Sequence, residues 1–135
     1  MRVMLIDDSK IDLFLGEKML GLSGVSSEII TCSSASEALD FFAGNISQPQ
    51  LLPELILLDI HMPEMDGFDF LDEFIRFPEH ITQNTGVLML TSSVDLKDLV
   101  RAEANPLVIK LIKKPLYPDS LHLALENYFT DKGDS

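Results

Sequence analysis

The sequence predicts a doubly wound α/β domain on a five-stranded parallel sheet, and three observations predict it. Short apolar runs carrying β-branched residues alternate with helix-period stretches along the whole chain. The run Leu55 to Leu58 is apolar throughout, as a strand is when helices cover both faces of its sheet. Four of the five runs end in polar or charged residues at the same side, the rim where open sheets of this kind bind ligands.

The elements follow in order. Val3 to Ile6 is the first strand. Ile11, Phe14, Leu15, Met19 and Leu22 recur at spacings of three and four, the apolar stripe of an amphipathic helix, with Ser9 as N-cap and Gly21 to Gly24 as its end. Glu28 to Cys32 is the second strand, and Ser36 to Ala43 a helix closed by Gly44. Asn45 to Pro53 holds two prolines and no periodicity, which is loop. After the third strand, Gly67 to Arg76 is helical with Phe68, Leu71 and Ile75 on one side. Phe77 to Gly86 is an irregular connection. Val87 to Leu90 is the fourth strand, Leu96 to Ala104 a helix cut off by Asn105-Pro106, and Leu107 to Ile112 the fifth strand. Pro118, placed for a first helical turn, opens a last helix to Phe129.

Composition narrows the function. A chain of 135 residues with 46% hydrophobic and 24% charged residues is one globular domain. Its 22 acids against 10 bases give a formal charge of -12, which repels phosphate backbones and anionic lipid. The sequence thus predicts no direct nucleic-acid partner and no membrane partner. The apolar runs are strand-length and Asp7-Asp8 interrupts the N-terminus, so a cytoplasmic domain is expected. Cys32, the one cysteine, allows no internal disulfide.

The rim carries the chemistry. Strand one ends in Asp7-Asp8, strand three in Asp59, strand four in Thr91-Ser92-Ser93 and strand five in Lys113-Lys114-Pro115. Two carboxylates about 4 Å apart repel by roughly 4 kcal/mol at an effective dielectric of 20, about three pKa units. Such a cluster must hold a proton, pair with a lysine or bind a cation. Carboxylate-rich oxygen ligation suits magnesium, which commonly partners phosphate, and a lysine and a hydroxyl beside it suit the remaining phosphoryl oxygens. Asp59 is left as a nucleophile toward phosphorus, forming an acyl phosphate.

Leu5-Ile6-Asp7-Asp8-Ser9, Leu57 to Gly67 (with Asp59, His61, Pro63 and Asp66-Gly67), Leu90-Thr91-Ser92 and Lys113-Lys114-Pro115 together resemble the receiver domain of two-component response regulators, of the stand-alone type. The resemblance spans about residues 2 to 129. It implies a flavodoxin-like (β/α)5 fold with strand order 2-1-3-4-5, residues 1–130 forming the domain and 131–135 a short tail. It also implies Asp59 as phosphoacceptor and Mg2+ as cofactor. Asp8 would be a direct metal ligand, Asp7 would act through metal-bound water, and Asp59 and the His61 backbone carbonyl would complete the shell. Thr91 would bond a phosphoryl oxygen, and Lys114, before a cis Lys-Pro bond, would pair with the phosphoryl group. Strand alternation turns Lys113 to the other face. The implied partners are a histidine kinase or histidine phosphotransfer protein and an unknown downstream protein.

Two positions depart from the family pattern. Leu111 stands where receivers usually carry an aromatic switch residue, and Ala104-Asn105-Pro106 replaces a Gly-containing turn. His61 and Ser93, two residues beyond Asp59 and Thr91, occupy positions where family variation is associated with phosphoryl lifetime. His61, His80 and His122 lack metal-ligand spacing. Asp66-Gly67 reads as a turn opening a helix, Cys32 as a small buried hydrophobe, and the phenylalanines from Phe68 to Phe77 as core and rim. Two other functions compete. A phosphorylation-independent interaction module predicts lost acids or lysine, and none is lost. An Asp-nucleophile phosphatase needs a second Asp where His61 stands, so the sequence predicts a signalling phosphoacceptor rather than an enzyme.

Overall fold

The computed structural model describes residues 1–133. Five parallel strands form one sheet in the order β2-β1-β3-β4-β5: β1 (Arg2–Ile6), β2 (Glu28–Cys32), β3 (Leu55–Asp59), β4 (Gly86–Thr91) and β5 (Val108–Lys113). The helices are α1 (Lys10–Ser23), α2 (Ala35–Gly44), α3 (Gly67–Phe74), α4 (Glu79–Thr82), α5 (Leu96–Ala104) and α6 (Pro118–Gly133). This is the doubly wound fold and strand order that the sequence implies.

Strand alternation divides the core in two. Met4, Ile6, Ile56, Leu58, Val87 and Met89 face α2, α3 and α5, where Phe42, Phe70 and Phe74 are fully buried. Val3, Leu5, Leu55, Leu57, Leu88, Leu90 and Ile112 face α1 and α6. The same period of two, carried past the strand ends, sends Asp7, Asp59 and Lys114 to the α1/α6 side.

Five local readings need correction. The α1 stripe is not the buried face: Ile11, Phe14 and Leu22 are 71%, 59% and 74% exposed, while Gly16 and Leu20 are buried. The helix is apolar around much of its circumference, so periodicity does not choose a face. Gly16 chooses it, because a Cβ there would sit 3.3 Å from Leu5 Cδ1 and the glycine lets the helix lie close to the sheet. Gly21 lies inside α1, and the chain turns at Gly24, whose φ of 73° is left-handed. The connection from Phe77 to Gly86 holds the one-turn α4, and Pro49–Leu51 in the preceding loop is a short 3-10 turn. Finally, α6 continues to Gly133, through residues expected as tail, because no proline or glycine interrupts it earlier. Asp134 and Ser135 of that tail lie outside the described residues.

Candidate functional site

The loop between β3 and α3 sets the position of Asp59. Glu64 adopts a φ of 68°, a left-handed conformation costly for a residue with a Cβ. Asp66 caps α3: its side chain accepts from Asp69 N at 2.8 Å while Asp69 Oδ2 accepts from Asp66 N at 3.1 Å. Gly67 N donates to the Ile60 carbonyl at 2.8 Å, and a Cβ at Gly67 would lie 2.7 Å from the Asp59 carbonyl oxygen. Only glycine permits that approach. The Asp66-Gly67 turn is therefore structural, as its sequence reads, and it braces the strand end bearing Asp59.

Asp7, Asp59 and Lys114 converge across three strand ends. Lys114 Nζ lies 2.7 Å from Asp7 Oδ2, 2.8 Å from Asp12 Oδ2 and 3.3 Å from Asp59 Oδ1. Asp7 and Asp59 are buried, at 6% and 5% exposure, and Asp8 is exposed. Burial, followed by repulsion from Asp7, raises the Asp59 carboxyl above its ordinary value, although Lys114 pulls it down. Burial works against the Lys114 charge, but hydrogen bonds to Asp12 and Asp7 outweigh it and hold the ammonium above its usual range. Of the three ways to relieve a carboxylate cluster, the structure displays the lysine. Lys113 is exposed and takes no part, as alternation requires.

Asp7, Asp8 and Asp59 each offer a carboxylate oxygen, all within 4.8 Å of one another. Three hard anionic oxygens at this spacing fit a small divalent cation, Mg2+ included. Thr91 is fully buried at the end of β4; its hydroxyl donates to the Ser93 carbonyl at 2.9 Å and accepts from Ser93 N at 3.3 Å. The Lys114–Pro115 peptide bond is cis. The His61 ring meets α5, with Nε2 3.6 Å from Asp98 Oδ2.

At the two departures from the family pattern the chain uses other means. Leu111 is half-buried, pairs with Met89 in the sheet and packs on the α2/α3/α5 side. Asn105 makes the glycine-free turn after α5: its side-chain oxygen accepts from Leu107 N at 2.9 Å, and its φ of -92° needs no glycine. Asp12 is the site residue that sequence reasoning missed. It stands in the first turn of α1, not at a strand end, so the rim pattern did not mark it.

The carboxyl-end rim of this parallel α/β sheet thus carries three acids, a buried hydroxyl and a lysine. The family model described as "Response regulator receiver domain" matches residues 3–126. The chain belongs to that family. A two component response regulator from Cytophaga hutchinsonii superposes with a TM-score of 0.87 at 27% identity, covering 96% of each chain. A response regulator receiver protein from Dyadobacter fermentans gives 0.83 at 36% identity, covering 95% of this chain and 97% of that one. Among curated relatives, Sensor histidine kinase CheAY of Helicobacter pylori is 26% identical over 98% of this chain, which spans 15% of that protein. The chain likewise spans between 14% and 74% of the other curated relatives.

Proposed function

We propose that this domain accepts a phosphoryl group on Asp59 from a phosphohistidine donor and signals by protein–protein contact. The observation that carries the reading is Asp59 itself. A buried carboxylate, raised in pKa by burial and by Asp7, faces a lysine and two further acids suited to a cation. An Asp59 oxygen forms a bond to phosphorus as the donor's P–N bond breaks, and the imidazole departs with the electron pair. Magnesium, when bound, neutralises charge on the transferring oxygens. Asp8 and Asp59 would hold it directly, with the His61 carbonyl, and Asp7 through water. Lys114 pairs its ammonium with a phosphoryl oxygen, and Thr91 rotates its hydroxyl from Ser93 toward another.

The donor's docking face is supported by α1. Ile11, Phe14 and Leu22 form an exposed apolar surface on the helix that follows Asp7-Asp8, of the kind that marks a protein contact. A histidine kinase or phosphotransfer protein is the partner this requires, in a cytoplasmic setting. No helix among the described residues is long and apolar enough to cross a membrane. The interaction-module alternative is not favoured, because every acid and the lysine stand in place. Incubation with a small phosphodonor, with and without Mg2+, followed by intact mass measurement tests the proposal. One phosphoryl group, added only with the cation, is expected; an unmodified chain under both conditions defeats it.

A further inference from the structure

Asp12 is the carboxylate at this site that the proposed reaction leaves without a task. It occupies the third position of α1, where its N–H donates to Ser9 Oγ at 3.2 Å. An acid at this position commonly reaches back to the N-cap N–H. Here Asp7 Oδ1 already accepts from Ser9 N at 2.9 Å, so the Asp12 side chain is left to reach across to Lys114.

The ammonium has three N–H donors and meets three carboxylates unequally. Its bonds to Asp7 and Asp12 measure 2.7 and 2.8 Å, and its contact with Asp59 stretches to 3.3 Å. Asp12 thus draws toward α1 the positive charge that faces the nucleophile. It is also the partner easiest to release: its side chain is 37% exposed, against 8% for Asp7 and 7% for Asp59. Water reaches Asp12 more readily than it reaches the other two carboxylates, so Asp12 is the one that solvent can take over from Lys114.

We propose that Asp12 is a positioning residue acting through Lys114, holding the ammonium toward α1 while Asp59 is unmodified and surrendering it when a phosphoryl group arrives. The inference rests on the phosphoacceptor reading of Asp59. As the Asp59–phosphorus bond forms and the donor's bond to phosphorus breaks, the leaving group takes the electron pair. Lys114 remains an ammonium throughout and changes only its partner. Asp12 therefore slows acceptance, because its hold on Lys114 must be broken first. It also ties the first turn of α1 to the state of Asp59.

The test compares phosphorylation rates of wild type, Asp12→Asn, Asp12→Glu and Glu17→Gln with acetyl phosphate and Mg2+. Asp12→Asn keeps the shape and removes the ionic hold; it should be about threefold to fivefold faster, the upper worth of a single ion pair open to solvent on one side. Asp12→Glu restores the charge and should return to the wild-type rate. Glu17→Gln removes a charge from an exposed position of the same helix and should match wild type. In a Lys-selective 15N spectrum without phosphodonor, the Lys114 ammonium should exchange with solvent more slowly in wild type and Asp12→Glu than in Asp12→Asn. An Asp12→Asn rate no faster than that of Glu17→Gln, or an unchanged ammonium signal, overturns the inference while a wild-type adduct leaves the phosphoacceptor reading standing. Absence of any wild-type adduct defeats that reading instead.

Discussion

The backbone N–H of Lys114 donates to the Thr91 carbonyl at 2.7 Å, extending the pairing of β4 and β5 one step beyond the Thr91–Lys113 register pair. That bond fixes which of two adjacent lysines faces the acids. Lys114→Ala leaves Asp7, Asp12 and Asp59 without their cation. It should cut phosphoryl transfer roughly 100-fold, the scale of losing one donor to the transferring group. Lys113→Ala should change stability by less than about 0.5 kcal/mol and leave transfer intact. Parallel rate and melting measurements on the two variants check this, and equal effects would show the lysine misassigned.

Asp59 links the site to stability. Its raised pKa means that, at pH values between the unfolded value near 3.9 and the folded one, the folded chain binds more protons than the unfolded chain. Stability therefore falls as pH rises from the unfolded value through the folded one, and the metal-free fold carries that penalty at neutral pH. Asp59→Asn should melt higher than wild type in EDTA at pH 7, each kcal/mol of relief appearing as about 4 °C. The difference should vanish below about pH 4. Magnesium should stabilise wild type by about 2.7 kcal/mol at a hundredfold excess over Kd, and Asp59→Asn by less. Melts across pH, with EDTA and with Mg2+, read both effects.

Gly67 braces the strand end from behind. A methyl group there meets the Asp59 carbonyl oxygen at 2.7 Å and Ile60 Cα at 3.0 Å, both backbone atoms that cannot step aside cheaply. Gly67→Ala should cost about 1–3 kcal/mol in denaturant unfolding and should lower phosphorylation by displacing Asp59. Gly21→Ala, where a Cβ meets nothing within 4 Å, is the contrasting substitution and should be neutral or slightly stabilising.

Phe14 separates docking from chemistry. At 59% exposure, with the Lys18 ammonium 5.5 Å from its ring centroid, it contributes little to the core. Phe14→Asp should leave modification by acetyl phosphate unchanged and weaken transfer from a phosphohistidine protein at least tenfold, a loss of about 1.4 kcal/mol. A stopped-flow or gel-shift comparison of the two donors measures the split.

The sequence revealed those features that depend on period and order. Val3 to Ile6, Leu55 to Leu58 and Val87 to Leu90 reveal strands because burial on both faces demands unbroken apolar runs. Asp7, Asp8 and Asp59 follow from where the first and third of the chain's strands stop, and Lys114 from the end of the fifth. Other features depend on contacts between distant elements, which no window of sequence contains. The buried face of α1 hangs on Gly16 meeting Leu5, and the Asp12–Lys114 bond joins positions 102 residues apart. The His61–Asp98 contact likewise requires α5 to lie over the β3 loop. Helix ends proved the least legible: α6 runs past Phe129, and α3 stops at Phe74 with Ile75 already 52% exposed.

The most direct measurement is the location of the phosphoryl group. After reaction with acetyl phosphate and Mg2+, borohydride reduction of the acyl phosphate followed by peptide mass mapping identifies the modified residue. Modification at Asp59, and none on Asp59→Asn, is the expected result. A phosphoryl group mapped to another residue in wild type, or an undiminished adduct on Asp59→Asn, would contradict it.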